Sequence, residues 1–63
     1  MNVSLNESVI AAARAKLGLI LDRDLERMAK RLKRETGKGS SFAQRDNLAA
    51  QIAIAQELAA RNA

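Results

Sequence analysis

Between residues 17 and 34 the chain reads Leu17-Gly18-Leu19-Ile20-Leu21-Asp22-Arg23-Asp24-Leu25-Glu26-Arg27-Met28-Ala29-Lys30-Arg31-Leu32-Lys33-Arg34. A glycine and an apolar turn lead into a segment with two opposed faces. Leu25, Met28, Ala29 and Leu32 recur at helical spacing and form one apolar stripe, while Arg23, Arg27, Lys30, Arg31 and Arg34 gather on the opposite side. This is a strongly amphipathic basic helix. Asp22 is expected to cap its start, and Thr36-Gly37 to end it, as a glycine in the left-handed conformation commonly does. The turn Leu19-Ile20-Leu21 is too hydrophobic for a solvent loop and predicts a cover, from this chain or another.

Upstream, Glu7 opens a second helical pattern with Val9, Ile10, Ala13 and Leu17, and Gly18 is a natural stop. Before it, Asn2-Val3-Ser4-Leu5-Asn6 alternates polar and apolar residues with the period of a half-buried strand, and Asn6 offers a helix cap. The same residues also read as a terminus whose only role is capping. Downstream, Gly37-Lys38-Gly39-Ser40-Ser41 lacks the earlier glycine and the leading strand of a phosphate-binding loop, and reads as a linker. Ser41 and Gln44 have capping-box spacing, so a third helix is predicted from Phe42 to about Arg61. It carries one narrow stripe of Leu48, Ile52, Ala55 and Ala59, and a second patch of Ile54 and Leu58 on another side. A helix apolar on two sides packs against two things, or packs only within its own bundle.

The whole chain has 63 residues, enough for one small domain that buries only about 60% of its unfolded surface. Thirteen of its thirty hydrophobic residues are alanine and Phe42 is the one aromatic, so a single-chain core is thin and association is expected to complete it. Without cysteine or histidine, disulfides and the usual zinc and thiolate chemistry are excluded, and no metal or other cofactor is expected. Asp22 with Asp24 is the one close carboxylate pair, better read as partners of a helix dipole than as catalytic acids. An enzyme acting on a small-molecule substrate is not expected. No apolar run approaches the ~20 residues that span a bilayer, and Met1-Asn2-Val3-Ser4-Leu5 lacks signal-peptide character, which predicts a cytoplasmic protein.

Net charge is +4, and residues 27 to 34 hold five basic side chains and no acid. Such a run favours nucleic acid through counterion release, although a solvated helix face has the same composition. Membrane-surface binding is disfavoured by the lack of tryptophan and by Asp22, Asp24 and Glu26. Single-stranded binders stack bases on aromatic side chains, which are missing, so duplex DNA is the expected partner.

The order short strand, helix, glycine turn, amphipathic helix resembles the ribbon-helix-helix DNA-binding family, and within it the CcdA-type antitoxins. The resemblance is carried by Val3-Ser4-Leu5-Asn6-Glu7-Ser8-Val9 and by Leu17 to Glu26, within residues 2 to 34. It implies a mainly α fold with a short N-terminal strand, two helices forming a ribbon-helix-helix dimer, and a C-terminal helix. Residues 1–36 would then dimerise and bind DNA, 37–41 would link, and 42–63 would form an interaction helix. In such a homodimer the paired strands enter the major groove. Asn2 and Ser4 would read bases with Asn6 at the edge, and the basic residues of the second helix would lie near phosphates. Val3, Leu5, Val9, Leu17, Leu19, Leu21, Leu25, Met28 and Leu32 would form the dimer core. The implied function is a transcriptional repressor, and by analogy an antitoxin whose C-terminal helix binds a toxin through Phe42, Leu48, Ile52, Ile54 and Leu58. The alternative is an α-helical interaction module that oligomerises and does not bind DNA.

Overall fold

Three helices are present in the computed structural model, which describes residues 6–63: α1 (Glu7–Ala15), α2 (Asp22–Arg34) and α3 (Ser41–Arg61). No strand occurs among the described residues. Asn2, Val3, Ser4 and Leu5, on which the ribbon expectation rests, lie outside them. Asn6 takes the predicted capping role: its Oδ1 accepts the backbone N–H of Val9 at 3.0 Å, and Glu7 stands in the first turn where the helix dipole favours it.

α1 ends earlier than expected, at Ala15, with Lys16 as its cap. Leu17 N–H bonds back to Arg14 O and Ile20 N–H to Leu17 O, so the chain turns tightly before Gly18 has any part in stopping the helix. α2 begins with Asp22 as its first helical residue rather than its cap. Leu21 occupies the cap position and offers no side-chain acceptor, and Asp22 is drawn instead into an ion pair with α3. At the other end the helix stops at Arg34, and Gly37 and Gly39 take φ of 85° and 87°, left-handed values that side chains beyond glycine rarely adopt. The third helix starts one residue before the predicted position. Ser40, not Ser41, accepts the N–H of Ala43, and Gln44 donates to the carbonyl of Gly39, so the reciprocal capping box does not form.

α3 is the spine of the fold. α1 and α2 each pack along it but not on one another. The ion pair between Arg14 and Glu57 sets the end of α1 near the end of α3, so these two run parallel. Asp22 meets Arg61 while Leu32 O meets Asn47, so α2 runs antiparallel to α3. The core joins Leu17, Leu25, Ala53 and Ile54, with Ile10, Ala13, Ile20, Met28, Ala29, Leu32 and Leu58 packed around them. Ala49 is buried with them, and Ala49 and Ala53 are small enough to let helix backbones approach closely.

Leu17 and Leu25, expected in a dimer core, are thus buried within one chain, and Met28 and Leu32 pack against them there. Val9 is half-buried and lines a groove of about 570 Å³ between α1 and α3. The apolar turn is only partly covered. Ile20 packs inward, but Leu19 is 101% exposed and Leu21 is also exposed, because the turn needs one anchor to hold its place and the flanking leucines then point away. On α3 the Ile54 and Leu58 patch faces the core, whereas Leu48, Ala55 and Ala59 are exposed and Ile52 is half-buried.

Candidate nucleic-acid interface

Arginine serves two distinct purposes in this fold. Arg14, Arg45 and Arg61 each meet a carboxylate: Glu57 at 3.3 Å, Asp46 at 2.9 Å, and Asp22 at 2.7 Å with Glu57 at 3.1 Å, respectively. Arg23, Arg27, Lys30, Arg31 and Arg34 meet none among the described residues, and all five are exposed. At 100° per residue, Arg23, Arg27, Lys30 and Arg34 fall within about 60° of one another and Arg31 lies about 40° further round. Leu25 and Leu32 take the opposite side and seat it on the core. The five cations therefore form one strip about 16 Å long, at 1.5 Å per residue. Arg27, Lys30, Arg31 and Arg34 border a shallow depression of about 350 Å³ with Met28 at its side.

The strip is held rigidly because α2 is fastened to α3 at both ends. At the N-terminal end, Arg61 spreads its guanidinium over the α1–α2 turn, donating to Leu17 O at 2.9 Å, Ile20 O at 2.6 Å and the Asp22 carboxylate at 2.7 Å. Five donors in a fixed fork suit arginine to this work. The hydrogen bond to Asp22 holds the Arg61 guanidinium above its usual pKa, and hydrogen bonds from Arg14 and then Arg61 hold the Glu57 carboxyl below its own. At the C-terminal end, Leu32 O accepts Asn47 Nδ2 at 2.9 Å and Thr36 Oγ1 at 3.1 Å, and Gln51 Nε2 reaches Thr36 Oγ1 at 2.9 Å. These contacts occupy carbonyls that the end of a helix leaves unpaired.

The Asp22 charge, placed by sequence at the start of a basic helix, is matched by Arg61 rather than left to repel an approaching phosphate. Asp24 remains half-buried on the flank.

The other predicted site residues divide clearly. Asn2 and Ser4 lie outside the described residues, and the Asn6 side-chain oxygen is engaged as a cap. Of the expected partner-binding residues, Phe42 is 59% and Leu48 40% exposed, with Arg45 stacked on the Phe42 ring at 5.5 Å. Ile54 is 1% exposed and Leu58 packs on the core, so these two form no outward surface. Sequence reasoning missed the supporting residues Asn47, Gln51, Glu57 and Arg61. Glu57 and Arg61 do carry a local signal, the favourable i, i+4 acid-to-base order on a helix, but nothing local assigns Arg61 to a turn some forty residues upstream.

Among the described residues no three acidic, cysteine or histidine side chains converge as metal ligands, and no helix is long and apolar enough to cross a membrane. Compared with family models, with curated proteins and with solved structures, the chain gives no significant match.

Proposed function

We propose that this protein binds duplex DNA, with the outer face of α2 lying along the phosphate backbone. The observation that carries this reading is the segregation of charge: the fold pairs Arg14, Arg45 and Arg61 with carboxylates and leaves the five cations of the α2 strip unpaired. Unpaired like charges 5–6 Å apart along a helix disfavour the free fold, and a polyanion relieves that repulsion. Each phosphate neutralised also releases condensed counterions, which supplies affinity without sequence preference. Because α2 is fastened at both ends, the helix that carries the strip is already formed before binding, and only its side chains have to order.

Sequence preference has to come from other groups. Asn2 and Ser4 are our candidates, read as in the ribbon-helix-helix family, with asparagine able to hold adenine through paired hydrogen bonds. On that reading the protein is a homodimeric repressor. Of the residues expected to bind a toxin, Ile54 and Leu58 serve the core, so an antitoxin role would rest on Phe42, Leu48 and Ile52.

A helical interaction module without affinity for nucleic acid is the second reading, favoured by exposed Leu19, Leu21, Phe42 and Leu48. Titrating labelled duplex and single-stranded DNA of one sequence at low salt separates the two. DNA binding predicts duplex affinity that falls steeply with added salt and exceeds single-strand affinity, whereas no duplex binding at low salt selects the interaction module.

A further inference from the structure

The outward side of α3 is uncharged over about four turns. From Asn47 to Ala60 the only charge is Glu57, and it is turned inward to Arg14 and Arg61. Opposite Glu57, Leu48, Ile52, Ala55 and Ala59 follow one another at spacings of four, three and four residues. That is the d-a-d-a spacing of a coiled-coil seam, a stripe only about 60° wide. Leu48 is 40% exposed, Ala55 and Ala59 are exposed and Ile52 is half-buried, so the described chain leaves most of the stripe open to solvent. Depletion of charge around exposed apolar side chains marks the core of an interface.

We propose that this seam packs against the same seam of a second copy of the chain, antiparallel about a two-fold axis passing between Ile52 and Ala55. Side-chain size selects both the partner and the direction. In this register Leu48 faces the partner's Ala59 and Ile52 faces the partner's Ala55, and the symmetry repeats each pair, as an isologous interface requires. Every large residue meets a small one, so the two helices approach evenly along the seam. A parallel arrangement sets Leu48 against the partner's Leu48 and Ala59 against the partner's Ala59, which wedges the helices apart at one end and leaves a void at the other. The neutral seam also lets two chains of net charge +4 meet without opposing like charges, and gives an acidic or basic partner nothing to pair with. A membrane surface calls for a broader apolar face flanked by several basic residues, whereas this stripe is narrow and has beside it only Arg45, which is paired with Asp46. The energetic need is plain: among the described residues five are buried in the core and two of them are alanine, and small domains with so little core commonly gain stability by oligomerising. This dimer does not depend on DNA binding, and it is distinct from any pairing of residues 2 to 5.

The test uses the full chain, which has no native cysteine. Sedimentation is expected to show a dimer, and Leu48→Glu with Ile52→Glu is expected to weaken it about a hundredfold, because each copy then buries unpaired carboxylates. An equimolar mixture of Leu48→Cys and Ala59→Cys chains is expected to yield a disulfide-linked heterodimer under mild oxidation. Each variant alone stays unlinked, since in the antiparallel register two like positions lie about 16 Å apart along the axis. A monomeric wild-type chain, a dimer unchanged by the glutamates, or like-with-like crosslinking of Leu48→Cys chains overturns the proposal. Loss of duplex affinity in the Lys30→Gln, Arg31→Gln and Arg34→Gln variant with the dimer intact keeps this inference separate from DNA binding.

Discussion

Replacing Lys30, Arg31 and Arg34 with glutamine removes three of the five cations of the α2 strip while leaving the fold's contacts in place. All three side chains are exposed and none forms a hydrogen bond or ion pair with another described residue. Glutamine keeps a long helix-compatible side chain, so helicity should be unchanged. If all five cations neutralise phosphates, log K falls against log salt with a slope of about −4.5 per chain, from about −0.9 per phosphate on B-form DNA. Affinity then drops about 500-fold between about 50 and about 200 mM salt. With three cations gone the slope becomes about −1.8 and the same salt change costs only about 12-fold. A dimer presenting both strips to one duplex doubles each slope. The assay is fluorescence anisotropy with a labelled duplex at five or six salt concentrations, with circular dichroism confirming the helices. A slope that stays the same in the triple variant would refute the assignment of α2 as the phosphate-binding face, whatever the absolute affinity.

Three further outcomes follow from the fold. Leu25→Ala empties a fully buried position shared by α2 and α3 and should cost about 2–5 kcal/mol. Against the roughly 3–9 kcal/mol expected for a chain this long, that is a large share of the total, and the urea midpoint should fall markedly; an unchanged midpoint would contradict the burial of Leu25. Glu57 has a folded pKa below the ordinary 4.5, chiefly through the hydrogen bond from Arg14 and then that from Arg61. Its stabilising effect is therefore complete above that ordinary value and vanishes as pH falls through the folded value. Thermal unfolding from neutral pH downward should show an acid limb that is shallower in Glu57→Gln, and an identical limb would mean the carboxylate is not engaged. The three glycines should rank by conformation. Gly18→Ala, with open space around its added Cβ, should be neutral or stabilising, whereas Gly37→Ala should cost about 1–2 kcal/mol for its left-handed φ. Gly39→Ala should cost more still, since its Cβ would also stand 3.1 Å from that of Ala43, and equal melting temperatures for all three variants would contradict the turn geometry.

Helix positions were largely legible in the sequence because their signals are local. The two faces of α2 follow from spacing alone, and the structure seats Leu25 and Leu32 inward and the basic strip outward as that spacing requires. The cap at Asn6 and the end of α3 at Arg61 were equally readable. The caps at Asp22 and Ser41 were each displaced by one residue. At α3 the neighbouring Ser40 accepts the N–H that Ser41 was expected to take, whereas at α2 no side chain caps the start and Asp22, as the first helical residue, pairs with Arg61. The candidate basic site was visible as a run of charge. Its distinction from the other arginines was not, because pairing depends on which carboxylates the fold brings near.

α3 shows the division most sharply. Its apolar residues lie on more than one side, so periodicity gives no single inward direction, and the Leu48 stripe was as eligible for the core as the Ile54 patch. Tertiary packing decides for Ile54 and Leu58. That side also carries Ala49, Ala50 and Ala53, small enough to admit two helices, together with Asn47, Gln51, Glu57 and Arg61, whose polar groups match the chain ends and turn they meet. The sequence by itself determined three helices, a glycine-marked turn before the third and a helix with one basic face, since each rests on interactions within about one helical turn. Which face of α3 is buried, which arginines are paired, and that Leu19 is left in solvent were decided only in three dimensions, because burial and ion pairing depend on residues some forty positions apart in the chain.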